Sequence, residues 1–251
     1  MRYNELVGLE ELNTEKMNDD IMVTILCVTY NHAPYIEDAF KGFINQKTNF
    51  RYEVVVFDDA STDGTSQIVL DYQNRFPNII HAAIMKRNLY GTMEWSKEVD
   101  LLLNSSKGKY FALCEGDDFW TDSGKIQLQV KFMEENPQCS MTVHEATRVN
   151  LVTGEKTKHT KHRVSRYLNE YDIINQPYGV LPTASMVVRR EVMLKDPLFP
   201  TCDVGDYPLQ LFALTKGKIY FFNNNMSVYR YLHKGSWGMK GWRQVIKVKR
   251  M

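Results

Sequence analysis

A chain of 251 residues and 29.3 kDa can form one generous domain or two small ones. Its 43 % apolar and 24 % charged residues exclude collagen-like and disordered classes. The 31 basic against 30 acidic residues, a net charge of +1, lack the strongly basic character of a dedicated nucleic-acid binder. The longest apolar run, Ile21 to Val28, falls short of the ~18–20 residues of a spanning helix. The acidic start, MRYNELVGLEELNTEKMNDD, has no apolar signal-peptide region, so a cytoplasmic protein is expected.

Residues 1–20 read as a polar tail. Met22–Val28 is continuously apolar and β-branched, the pattern of a strand covered on both faces, and it ends in Thr29-Tyr30-Asn31-His32. A helix is expected over Tyr35–Gln46, from apolar residues at Ile36, Ala39, Phe40, Phe43 and Ile44. Glu53–Phe57 is a second strand, closed by Asp58-Asp59, with Thr62 and Asp63 placed to cap a helix running to Arg75. Strands at Ile79–Ile84 and Lys109–Cys114 and helices at Thr92–Asn104 and Lys125–Glu135 continue the alternation, which predicts a mostly parallel sheet. Beyond residue 140 the pattern loosens. Strands are expected at Met141–His144 and Lys218–Phe222 and a helix at Asp206–Thr215, while the polar, basic stretch Thr153–Arg166 reads as a mobile loop. Cys27, Cys114, Cys139 and Cys202 form no C-x-x-C pair, and Cys27 and Cys114 lie in apolar runs as buried thiols.

Polar clusters fall at the carboxyl ends of the four strands, the edge where open α/β sheets bind ligands. Glu115-Gly116-Asp117-Asp118 is the sharpest of them. Adjacent carboxylates repel unless a cation is present, and hard divalent ions such as Mg²⁺ or Mn²⁺ take oxygen ligands together with substrate phosphates. A solvated acidic turn is the alternative. Asp58-Asp59 closes another strand on the same rim, where an ordinary turn and helix cap is the competing reading. No G-x-x-x-x-G-K-[ST], G-x-G-x-x-G, G-x-S-x-G or H-E-x-x-H motif is present.

The segments VTILCVTYNHAPYIEDAF, VVVFDDASTDGT, KRNLYGT and YFALCEGDDFW, in this order, resemble the family 2 glycosyltransferases over about residues 22–135. GDYPLQLFAL and MSVYR resemble the family's acceptor half more weakly. The resemblance implies the α/β GT-A fold, a Rossmann-like, mostly parallel central sheet flanked by helices. Residues 21–251 would then be a single domain, a nucleotide-sugar-binding half (21–135) followed by an acceptor half (136–251). Similar enzymes continue with further helices, so a C-terminal truncation is expected.

By resemblance, Thr29, Tyr30 and Asn31 hold the nucleotide base and Asp59 reads the uracil edge. Lys86 and Asn88 approach base and ribose, Asp117 faces ribose, and Asp118 is the main ligand to Mn²⁺ or Mg²⁺ on the diphosphate. The motif reads Glu-Gly-Asp-Asp rather than Asp-x-Asp, which leaves Glu115 in doubt as a ligand. Asp206 occupies the place of the catalytic base, with Asp203 as its rival, and His233 is a candidate metal ligand. The implied activity is metal-dependent, inverting transfer of a single sugar from a nucleotide-sugar, UDP-linked by resemblance, to a hydroxyl of a saccharide or lipid-linked saccharide in surface-polysaccharide assembly. A sugar nucleotidyltransferase and a non-catalytic carbohydrate-binding relative are the alternatives. The basic stretch Lys156–Arg166 could lean on anionic lipid or on a lipid pyrophosphate, giving a peripheral contact at the inner membrane face.

Overall fold

The computed structural model describes residues 21–174, 181–195 and 205–232. The first half alternates strands and helices: β1 (Ile21–Thr29), α1 (Ile36–Ile44), β2 (Arg51–Asp58), α2 (Thr65–Arg75), β3 (Ile80–Ile84), α3 (Met93–Ser105), β4 (Tyr110–Leu113), β5 (Phe119–Trp120) and α4 (Lys125–Glu135). The second half comprises β6 (Cys139–Asn150), β7 (Lys156–Lys158), β8 (Arg166–Leu168), α5 (Glu170–Ile174), β9 (Val187–Arg189), α6 (Arg190–Met193), α7 (Asp206–Lys216) and β10 (Lys218–Tyr231). Both halves contribute to one sheet, ordered β3-β2-β1-β4-β9-β6-β10-β5. Its β3-β2-β1-β4 stretch is parallel, as is β6–β10, while β9 and β5 run against their neighbours.

The continuous apolar runs follow from cover on both faces. On one face Ile25 and Cys27 of β1 pack with Phe40 and Phe43 of α1, Val69 and Tyr72 of α2, and Ile126 and Val130 of α4. On the other, Leu26 packs with Phe57, Leu102 of α3, and Leu209 and Ala213 of α7. Cys27, Cys114 and Cys139 are buried and unpaired, and burial is the first cause pushing each thiol's pKa up. Helix α3 is capped by Thr92, whose Oγ1 accepts the Trp95 N–H. Helix α2 begins at Thr65 after Gly64, and Asp63 Oδ1 accepts the Thr65 N–H.

Two expectations are corrected. Strand β10 extends far beyond Phe222, because Asn223, Asn224 and Asn225 lie in irregular register against β6 instead of ending the strand. Thr153–Arg166 is no loose loop. β6 turns at Asn150, whose Oδ1 accepts the N–H groups of Val152 and Thr153, and Gly154 takes the positive φ of 75° that the turn requires. β7 then pairs antiparallel with β6, and β8 pairs with β10. Fully buried Glu145 pins the return: Oε1 accepts the N–H groups of Ala146, His159 and Thr160, and Oε2 accepts the Thr160 hydroxyl at 2.7 Å.

Glu145→Ala leaves buried donors without an acceptor, at a cost of about 2–3 kcal/mol. Trypsin should then cut at Lys156, Lys158, Lys161 and Arg163 well before it does in the wild type. Equal cleavage rates would show that strand pairing alone holds the hairpin.

Candidate active site

The carboxyl end of β1 lies between β2 and β4, so the two acidic pairs are not on neighbouring strands but flank Thr29-Tyr30-Asn31 from either side. The first loop is stitched to the turn after β2. Asn31, at φ 57°, receives the Thr62 N–H on its Oδ1 and donates its own N–H to Ser61 Oγ, while the His32 N–H donates to Thr65 Oγ1. The two aspartates have separate jobs. Asp58 is fully buried and builds the turn, accepting from the hydroxyls of Ser61 and Ser66. Asp59 bridges outward: its N–H donates to the Thr29 carbonyl, Oδ1 accepts the Leu89 N–H at 2.7 Å, and Oδ2 accepts the Tyr90 N–H at 2.9 Å. Burial raises its pKa, and the two N–H bonds oppose that rise. Asn88 donates its amide to the Asp59 carbonyl, and Lys86 is exposed beside it.

Across β1, the Gly116 N–H donates to the Val28 carbonyl, which draws the acidic turn onto the strand. A Cβ at Gly116 would stand 2.6 Å from Thr29 Oγ1 and 2.9 Å from Thr29 Cβ, so only glycine fits this approach. Asp118 is 1 % exposed; its Oδ1 accepts the backbone N–H of Arg230 at 2.8 Å, while Oδ2 is buried without a hydrogen-bond partner. The Arg230 guanidinium reaches the Asp117 carbonyl at 2.9 Å and pairs with Asp38, lying over the Phe119 ring. His32 Nε2 stands 3.7 Å from Asp117 Oδ2. Burial, then the charges of Asp117 and Glu115, push the Asp118 carboxyl well above the carboxylate range.

Asp206 opens α7, with Oδ1 accepting the Tyr207 N–H and Oδ2 the Thr183 hydroxyl. Burial also raises its pKa. Its charge follows burial and that of Asp117 among the causes that raise the Glu115 pKa. The Tyr229 phenol completes the group, raised by burial and then by Asp118, Glu115 and Asp117. The structure therefore gathers Thr29, Tyr30, Asn31, Asp59, Asn88, Asp117, Asp118 and Asp206 along one sheet edge. Asp203 and His233 lie outside the described residues. Sequence reasoning missed Arg230 as a partner of the acids. Its signal was the Tyr-Arg pair itself, hidden because the strand seemed to stop before the three asparagines.

The family model for glycosyl transferase family 2 matches residues 24–195. The chain belongs to that family. An uncharacterized protein of Mycobacterium tuberculosis is 32 % identical over 215 residues, 86 % of this chain and 60 % of the relative. The Escherichia coli UDP-Glc:alpha-D-GlcNAc-diphosphoundecaprenol beta-1,3-glucosyltransferase WfaP is 25 % identical over 227 residues, 90 % of this chain and 83 % of that one. TarS of S. aureus, solved with UDP-GlcNAc, superposes with a TM-score of 0.66 at 18 % identity, over 88 % of this chain and 62 % of that one. The fold is the expected GT-A fold. The chain thus spans about 60 % of the length of the mycobacterial relative.

Among the described residues no group of three or more His, Cys, Asp and Glu side chains is arranged to hold a metal ion. The acidic turn of this family 2 chain nevertheless fits a cation held jointly with substrate. Asp118 Oδ2 is buried without a partner beside Asp117, and Mg²⁺-type ions take one or two carboxylates plus phosphate oxygens.

Gly116→Ala forces the turn off β1 and should cost about 1–3 kcal/mol in urea unfolding. Arg230→Ala keeps the N–H bond to Asp118 but removes the guanidinium from the Asp117 carbonyl and Asp38. A loss of about 2 kcal/mol is expected; an unshifted urea midpoint would show that the guanidinium does not brace the turn.

Proposed function

We propose that this chain is a metal-dependent, inverting glycosyltransferase that moves a sugar from a UDP-sugar to an acceptor hydroxyl in surface-polysaccharide or glycolipid assembly. The carrying observation is the acidic turn, where Asp118 has one oxygen held by the Arg230 N–H and the other buried without a hydrogen-bond partner, together with a second, separately held carboxylate, Asp206, at the start of α7. Family membership supports transfer over nucleotidyl transfer or simple carbohydrate binding. The UDP-GlcNAc held by TarS supports a UDP-sugar donor, and the diphosphoundecaprenol acceptor in WfaP's name supports a lipid-linked one. The nucleotide half and the acceptor half act as one catalytic unit on their common sheet.

In this reading Thr29, Tyr30 and Asn31 line the base site, and Asp59 stands at its edge. Each Asp59 oxygen accepts one backbone N–H, which leaves lone pairs for a uracil imide. Lys86 and Asn88 approach from the third loop, and Asp117 faces ribose. Asp118 and Asp117 would hold the Mn²⁺ or Mg²⁺, with His233 a further candidate. A bound divalent ion supplies positive charge where the departing diphosphate gains negative charge. Asp206 takes the proton of the attacking hydroxyl, from the face opposite the leaving group, which inverts the anomeric centre. Burial raises its pKa toward neutrality, where a general base is most effective.

Asp118→Asn should abolish Mn²⁺-dependent UDP binding in calorimetry; undiminished affinity would remove the metal assignment. Asp206→Asn should bind UDP as the wild type does and lose about 10²–10⁴ in kcat. Should Asp203→Asn be the inactive variant instead, the base is misassigned. In the wild type kcat should fall as pH drops through the raised pKa of Asp206. A panel of nucleotide sugars, screened for Mn²⁺-dependent thermal stabilisation, tests the donor class, and no response to any UDP-sugar would overturn it.

A further inference from the structure

The hairpin at the end of β6 has features that sugar transfer itself does not use. Its turn is rigidly built on Asn150 and Gly154, yet it presents apolar side chains to solvent: Val152 is 71 % exposed and Leu151 37 %. Val164, on the returning chain, is 64 % exposed. Around them Lys156, Lys158, Lys161 and Arg163 are all exposed, against Glu155 as the one acid between residues 151 and 164. Four cations and one anion give this stretch +3, where the whole chain carries +1. Lys156 and Lys158 alternate along the exposed strand β7 and so share one side of it. The combination of an apolar tip with a basic surround is what an interfacial membrane contact requires.

The position of the tip adds a second argument. The Leu151 N–H donates to the Tyr231 carbonyl, and Tyr231 follows Arg230, whose N–H holds Asp118. The hairpin therefore leaves the sheet at the same end as the acidic turn.

We propose that this hairpin docks the protein on an anionic lipid bilayer, with Leu151 and Val152 entering the headgroup layer and Lys156, Lys158, Lys161 and Arg163 meeting anionic headgroups. Such docking holds the acidic turn at the level of the membrane surface, where a lipid-linked acceptor presents its saccharide. That consequence rests on the proposed transfer reaction, whereas the docking itself does not.

The test is co-sedimentation of the full chain with phosphatidylcholine vesicles that contain or lack phosphatidylglycerol, free of donor and acceptor, so that the result is independent of any transfer activity. Binding is expected only with phosphatidylglycerol and should collapse between about 0.1 M and about 1 M salt, as the screening length falls from ~10 Å to ~3 Å. The pair Lys156→Gln and Lys158→Gln should weaken binding roughly thirtyfold, from the contribution of each basic residue near a charged surface. Val152→Asp, at an exposed site that leaves folding untouched, should weaken it at low salt as well. Failure of the wild type to sediment overturns the proposal. So does salt-sensitive binding that Val152→Asp leaves intact, which would show that the apolar tip does not enter the headgroup layer. Melting curves and UDP binding of the same variants separate loss of docking from loss of fold or of the nucleotide site.

Discussion

Carboxylates gathered in a dry place raise one another's free energy, and this constraint shapes the whole carboxyl edge of the sheet. Glu115, Asp117, Asp118 and Asp206 act on each other, and burial sharpens their repulsion. The protein relieves it in part. Arg230 brings a backbone N–H to Asp118 and a guanidinium to the Asp117 carbonyl, and Asp38 holds that guanidinium in place. The relief is incomplete, since one Asp118 oxygen stays buried without a partner. On the proposed reading, a site left short of positive charge is where a divalent cation would be held with the substrate phosphates. The length of β10, the closeness of Gly116 to Thr29 and the seat of α7 all follow from assembling this edge.

Much of the first half was legible because its signals are local. A strand covered on both faces must be apolar throughout, as Met22–Val28 and Glu53–Phe57 are, and a helix against it must be apolar at helical spacing, as α1 is. The second half depends on distant partners. Within Thr153–Arg166 only Gly154 marks a turn, and what orders the returning chain is Glu145, a buried carboxylate on β6. Three consecutive asparagines read as a turn in isolation, and only pairing with β6 makes them part of a strand.

The candidate site shows the same division. The acidic pairs were visible as residues, but only the family resemblance singled out Asp59; the residues themselves did not separate Asp58, which builds its own turn, from Asp59, which reaches the next loop. Both are aspartates at a strand end, and their roles differ in their donors: the hydroxyls of Ser61 and Ser66 for Asp58, the N–H groups of Leu89 and Tyr90 for Asp59. The order of strands was equally hidden. With β1 between β2 and β4, the first loop becomes the middle of the site and not its border.

The irregular pairing of β10 with β6 has a consequence for how the chain can vary. From Phe222 to Ser227 β10 takes five residue steps, while its partner takes two, from His144 to Ala146. The surplus sets the phase of everything after it, including the sides of the strand on which Tyr229 and Arg230 emerge. Because side chains alternate at every residue, losing one asparagine would exchange those sides and turn the guanidinium away from the Asp117 carbonyl. The asparagine run is therefore a spacer of fixed length. Two of its side chains also hold neighbours, Asn223 donating to the Arg163 carbonyl and Asn225 to the Thr147 hydroxyl.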